Sequence, residues 1–129
     1  MTAKQVVCVK WGTMYGAEYV NRLYGMVSRH LTPPFRLVCL TDDRQGIRPE
    51  VECFDLPERG APHPQRTMGK WRKQVLWGRM VPGLEEGVAL FIDLDSVIVG
   101  ALDCYFTVGS PDDVYVARNW ARPLEKLGQ

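Results

Sequence analysis

A chain of 129 residues falls within the commonest domain size, roughly 100–150 residues, so one domain with its own core is expected. With 46% hydrophobic and 24% charged residues the composition is that of a folded globular protein, which excludes a disordered chain. A formal net charge of +1, with no block of like charge, excludes a general attraction to nucleic acid or to an anionic membrane.

The chain enters its first predicted strand at Gln5–Val9, a short β-branched run closed by a loop from Lys10 to Thr13. From Tyr15 the apolar residues Tyr15, Tyr19, Val20, Leu23, Met26, Val27 and Leu31 recur at helical spacing, and Pro33-Pro34 forbids continuation. Phe35–Leu40 gives a second buried strand, broken by Thr41-Asp42-Asp43, and the β-α-β order implies a parallel crossover. Val51–Phe54 reads as a third strand, followed by a loop punctuated by Pro57, Gly60, Pro62 and Pro64. A second helix is predicted over Met68 to Met80, with Trp71, Val75, Leu76 and Met80 on one face, ending at Pro82-Gly83. The apolar segment bounded by Gly87 and Gly100 reads as a strand buried on both faces; a short turn or helix at Leu102–Phe106 and a final strand at Asp113–Ala117 complete an α/β fold. No leader and no bilayer-length apolar stretch stands out, so a cytoplasmic protein without a transmembrane segment is expected. Cys8, Cys39, Cys53 and Cys104 form no C-x-x-C pair, and the first three lie in predicted strands, so they read as reduced structural thiols. His30, near a helix end, and His63, in a loop, lack metal-ligand spacing and carry no catalytic assignment.

The chemistry concentrates in Asp93-Leu94-Asp95, where two carboxylates one residue apart interrupt an apolar run. At the carboxyl end of a strand, residues i and i+2 point to one side, and that edge is where open α/β sheets bind ligands. Like charges so close call for a cation or donor, and hard oxygen ligands suit Mg²⁺ or Mn²⁺ carrying a diphosphate. The plainer reading makes Asp93 a loop cap and Asp95 an Asx-turn.

Leu90-Phe-Ile-Asp-Leu-Asp-Ser-Val-Ile-Val-Gly-Ala-Leu-Asp-Cys-Tyr-Phe106 resembles the Asp-x-Asp segment of GT-A nucleotide-sugar glycosyltransferases of the glycogenin and bacterial lipopolysaccharide type. Gly69-Lys-Trp-Arg-Lys73-Gln-Val-Leu-Trp77 is similar to the helix before that motif, with Lys73 at the family's lysine. Val9, Lys10, Trp11 and Tyr15 match the region where such enzymes hold base and ribose, and Thr41 and Asp42 end the second strand as in the family. The resemblance implies a Rossmann-like GT-A sheet, largely parallel with flanking helices, spanning residues 1–129 as one domain. It further implies a nucleotide-sugar donor, most simply a UDP-sugar, bound by Val9, Lys10, Trp11, Tyr15, Asp42, Asp93, Leu94 and Asp95. Mn²⁺ or Mg²⁺ would sit on Asp93 and Asp95, and Lys73 would serve as the catalytic cation. The acceptor, a saccharide or a lipid-linked one, is not specified. Each assignment has a structural counterpart: Lys73 as a solvated helix lysine, Trp11 and Tyr15 as core aromatics, Lys10 as a surface residue. The family's acceptor half is expected to be absent after Arg118-Asn119-Trp120. That expectation carries two more: self-association through an exposed apolar face, and the alternative of a non-catalytic nucleotide-binding or interaction module.

Overall fold

The computed structural model describes residues 3–56 and 81–108. The predicted helix over Met68 to Met80 with Lys73, the Pro-rich loop with His63 and the predicted strand at Asp113–Ala117 lie outside the described residues.

Strands β1 (Lys4–Lys10), β2 (Phe35–Thr41), β3 (Glu52–Asp55) and β4 (Ala89–Phe91) form one sheet in the order β3-β2-β1-β4, and every neighbouring pair is parallel. β1 and β2 pair over their full length, from Lys4↔Phe35 to Lys10↔Thr41. Both are central, and burial on both faces explains why they read as continuous apolar runs.

Helix α1 (Ala17–His30) starts two residues later than its apolar periodicity suggests, after Gly16, whose carbonyl accepts from the Tyr19 amide at 3.1 Å. Glu18 in the first turn and Arg29 and His30 in the last complement the helix dipole. The helix closes with the Leu31 amide on the Val27 carbonyl, and Pro33-Pro34 follows. Its buried stripe of Val20, Leu23 and Val27 packs on Val6, Cys8, Leu37 and Cys39, with Leu31, Ile92, Leu94 and Leu102 completing the cluster. Each such side chain contributes about 1.5–3 kcal/mol relative to exposure.

On the opposite face Val7, Val9, Val38 and Leu40 are buried among Trp11, Phe54, Leu56, Val81, Leu84 and Phe91. A polar cluster closes the amino-terminal side of this face. Arg36 grips the Glu52 carboxylate with two bonds of 2.8 and 2.9 Å and donates to the Gly83 carbonyl at 2.7 Å. Gln5, only 3% exposed, donates to the Glu85 carbonyl at 3.1 Å and accepts from the Glu85 amide at 2.6 Å. These bonds clamp the segment leading into β4 onto the sheet.

The strand expected between Gly87 and Gly100 is far shorter than its composition suggests. β4 pairs with β1 only from Gln5↔Ala89 to Val7↔Phe91, and the Ile92 amide adds one bond to the Val7 carbonyl. The Ser96 amide then closes a turn on the Asp93 carbonyl, which lifts the chain off the sheet. Val97 and Val99 consequently stand 76% and 88% exposed. The chain continues as a 3-10 turn at Asp103–Phe106. Cys8, Cys39 and Cys53 sit in β1, β2 and β3 as expected, and all four cysteines are free thiols. Among the described residues no helix is long and apolar enough to cross a membrane.

Candidate functional site

The strand order itself creates a site. From β1 the chain builds outward through β2 to β3, and β4 then joins the other side of β1, so the order reverses between β1 and β4. With the four described strands parallel, the carboxyl ends of β1, β2 and β4 share one edge, and the crevice at such a reversal is where open α/β sheets take ligands.

Asp93 and Asp95 lie just past the end of β4 at this edge, alternating with Ile92 and Leu94, which are buried in the core under α1. Burial of Ile92 and Leu94 anchors the turn, while Asp93 stays half-buried and Asp95 exposed. Leu94, assigned to ligand binding by resemblance, is 7% exposed and serves as part of that anchor. The turn closes through the main-chain carbonyl of Asp93, and the Asp95 carboxylate accepts a long hydrogen bond from the Tyr15 hydroxyl, 3.5 Å away. Asp95 therefore reaches across to the start of α1, which differs from the Asx-turn reading.

Both carboxylates bear on the same phenol. The charge of Asp95 pushes the Tyr15 hydroxyl above its usual range, aided by loss of solvent, the Asp95 hydrogen bond, Tyr19 and, least, the charge of Asp93. Tyr15 also stacks edge-on against Tyr19, with centroids 4.8 Å apart. Two acids and a phenol thus converge at the reversal point.

The remaining assigned residues surround this core of the site in less uniform ways. Asp42, after β2, accepts from the Gly12 amide at 3.0 Å, and Gly12 has φ +64, a conformation that favours glycine. The bond ties the loop after β2 to the loop after β1. Lys10 is not the surface residue considered from sequence: it is 4% exposed, and its ammonium donates to the Asp43 carbonyl at 3.2 Å. Thr41 also supports this corner, accepting from the Asp43 amide at 3.0 Å. Val9 is buried on the face away from α1, and Trp11 packs half-buried with it there. Tyr15 packs on the α1 side, so Trp11 and Tyr15 flank the sheet edge from different faces.

Sequence reasoning missed a groove of about 620 Å³ running from Asp95 along α1, lined by Glu18, Tyr19, Arg22, Gly25, Met26 and Arg29 on the helix and by 94–97 opposite. Its helix residues at positions 18, 22, 25 and 29 follow the same i, i+4, i+7, i+11 stripe that marks any helix face, so the signal was present in the sequence.

Among the described residues no three His, Cys, Asp or Glu side chains come together as a metal cage. Two carboxylates at a ligand edge fit a different arrangement, in which Mg²⁺-like ions use one or two carboxylates and take the rest of their oxygens from phosphates and water. No protein-family model, curated protein or solved structure matches the chain.

Proposed function

We propose that this chain binds a nucleotide-diphospho-sugar through a divalent cation on Asp93 and Asp95, as the donor-binding part of a glycosyltransferase. The observation that carries the reading is the placement of Asp93 and Asp95 just past the end of β4 at the β1/β4 reversal point, with the Tyr15 hydroxyl 3.5 Å from the Asp95 carboxylate. It is supported by the likeness of the Leu90–Phe106 segment to the Asp-x-Asp region of GT-A enzymes.

In this reading Asp93 and Asp95 would hold Mn²⁺ or Mg²⁺, which would supply positive charge to the diphosphate and so favour departure of the nucleotide. Tyr15 orients Asp95 by its hydrogen bond and, remaining a neutral phenol, keeps a donor on that carboxylate. Trp11 offers an aromatic face for the base beside the end of β1, and Asp42 holds the β1 loop in shape through Gly12. By the family likeness Lys73, which lies outside the described residues, would add a further cation to the same oxygens or contact the sugar.

The test is calorimetric titration of the chain with UDP, with and without Mn²⁺, beside Asp93→Ala/Asp95→Ala. Metal-dependent binding is expected, weakened at least tenfold in the double variant, a loss of about 1.4 kcal/mol. Equal affinity in the variant would overturn the metal clamp, and Mn²⁺-dependent binding without hydrolysis or transfer from a UDP-sugar would make the chain a binding module.

A further inference from the structure

The groove along α1 has a chemical polarity that the donor site does not explain. One end is set by Asp95, which meets Tyr15 just ahead of the helix. The wall opposite the helix follows it toward its carboxyl end, since the Ile98 amide donates to the Met26 sulfur at 3.4 Å. Along this course Arg22 and Arg29, seven residues apart, stand on one stripe roughly 10 Å apart along the axis.

Among the described residues neither guanidinium forms an ion pair, although Glu18 lines the groove one turn before Arg22. The ion pairs among the described residues are Lys4–Asp103, Arg36–Glu52, Arg44–Asp55 and Arg48–Glu50. Arg22 instead lies over the Tyr19 ring, 5.3 Å from its centroid, a contact that leaves its charge in place. Arg29 lies beside Gly25, where an added Cβ would meet its Nη1 at 3.5 Å. A glycine inside a helix costs roughly 0.5–1 kcal/mol relative to alanine, and here its bare backbone leaves the Arg29 guanidinium room to lie against it.

We propose that this groove binds an anionic saccharide, its phosphate or carboxylate held by Arg22 and Arg29 and its hydroxyls directed toward Ser96 and Asp95. Planar guanidiniums suit such anions by paired hydrogen bonds, and the Tyr19 ring and Met26 thioether supply an apolar floor for a sugar face. Because Asp95 belongs to both regions, the hydroxyl end of this ligand lies next to the proposed metal and diphosphate. Naming the ligand as the sugar acceptor rests on the donor reading above; the anion binding does not.

The test is a ¹H–¹⁵N titration of the full chain with glucose 6-phosphate, without metal or nucleotide. Saturable shifts are expected at residues 19–29 and 94–97, with glucuronate acting alike and unphosphorylated glucose and inorganic phosphate each binding at least about tenfold more weakly. Arg22→Gln/Arg29→Gln should weaken glucose 6-phosphate binding by about tenfold or more. Gly25→Leu, which adds bulk at a groove-lining position and keeps both charges, should weaken it as well, with the far-ultraviolet spectrum confirming a folded helix in each variant. Unchanged affinity in the folded arginine variant, equal binding of glucose, or shifts confined to other surfaces would overturn the proposal. Asp93→Ala should leave this metal-free titration unaltered, so failure of the groove and failure of the metal clamp are read separately.

Discussion

Replacing Gln5 with leucine tests the link between the sheet and the segment that carries the site. Gln5 is 3% exposed, and its amide makes two well-placed bonds to Glu85, at 2.6 and 3.1 Å, with longer ones to Val88 and Arg36 at 3.4 and 3.5 Å. A net hydrogen bond is worth about 0.5–1.5 kcal/mol, so the two short bonds together amount to about 1–3 kcal/mol. Glu85 is itself exposed, so its freed amide and carbonyl gain water, which places the expected loss near about 2 kcal/mol. In urea, with m of about 1–3 kcal/mol/M, the midpoint should fall by about 1 M at unchanged m. The loss should be felt first in β4, because Gln5 holds the chain just ahead of Ala89. Hydrogen exchange of the Ile92 amide, bonded to the Val7 carbonyl, should therefore accelerate more than that of Cys39 in the central strand β2. A destabilisation below about 0.5 kcal/mol, or equal acceleration at both amides, would refute the view that this buried amide clamps β4 to the sheet.

Two pH-dependent predictions follow from the charged groups. Asp95→Asn should return the Tyr15 hydroxyl toward its ordinary value of 10.0, and Asp93→Asn should move it less, as followed by ¹³C resonances of labelled tyrosine; the opposite ranking would place the wrong carboxylate beside the phenol. Arg36 holds the Glu52 carboxyl below its ordinary value of 4.5, so its contribution is present above that pH and is lost as pH falls through the lower folded value. The pair is partly exposed, at 22% for Arg36 and 42% for Glu52, so its worth is about 1 kcal/mol or less. The urea-midpoint difference between the parent and Glu52→Gln should hold steady from neutral pH to about pH 5 and shrink below it; a difference that persists to about pH 3 would contradict this assignment.

Much of the described fold was legible because period and punctuation agree in it. Val20, Leu23 and Val27 at helical spacing, ended by Pro33-Pro34, could make little but a helix packed on one face. The β-branched runs of β1 and β2 had to be strands buried on both sides. β4 was harder, since Val97-Ile98-Val99 has the composition of a strand and yet lies past a turn. Strand propensity there yields to the pairing available, because a strand exists only where a neighbour's backbone accepts its bonds. Lys10 shows the same lesson in the opposite sense: a lysine at a strand end reads as exposed, but the Asp43 carbonyl in the loop after β2 gives its ammonium a partner and lets it be buried.

The sequence by itself determined the α/β class, the helix face and the strand end on which two carboxylates stand together, because these follow from local periodicity and residue type. Tertiary structure alone decided which strands adjoin, and hence that β1 and β4 meet at the reversal of the sheet with Tyr15 against Asp95. It likewise decided that Arg22 and Arg29 face a groove with no ion pair to either among the described residues. Such facts join residues tens of positions apart, and no local pattern encodes them; they are set when burial of the two apolar faces selects one arrangement of the chain.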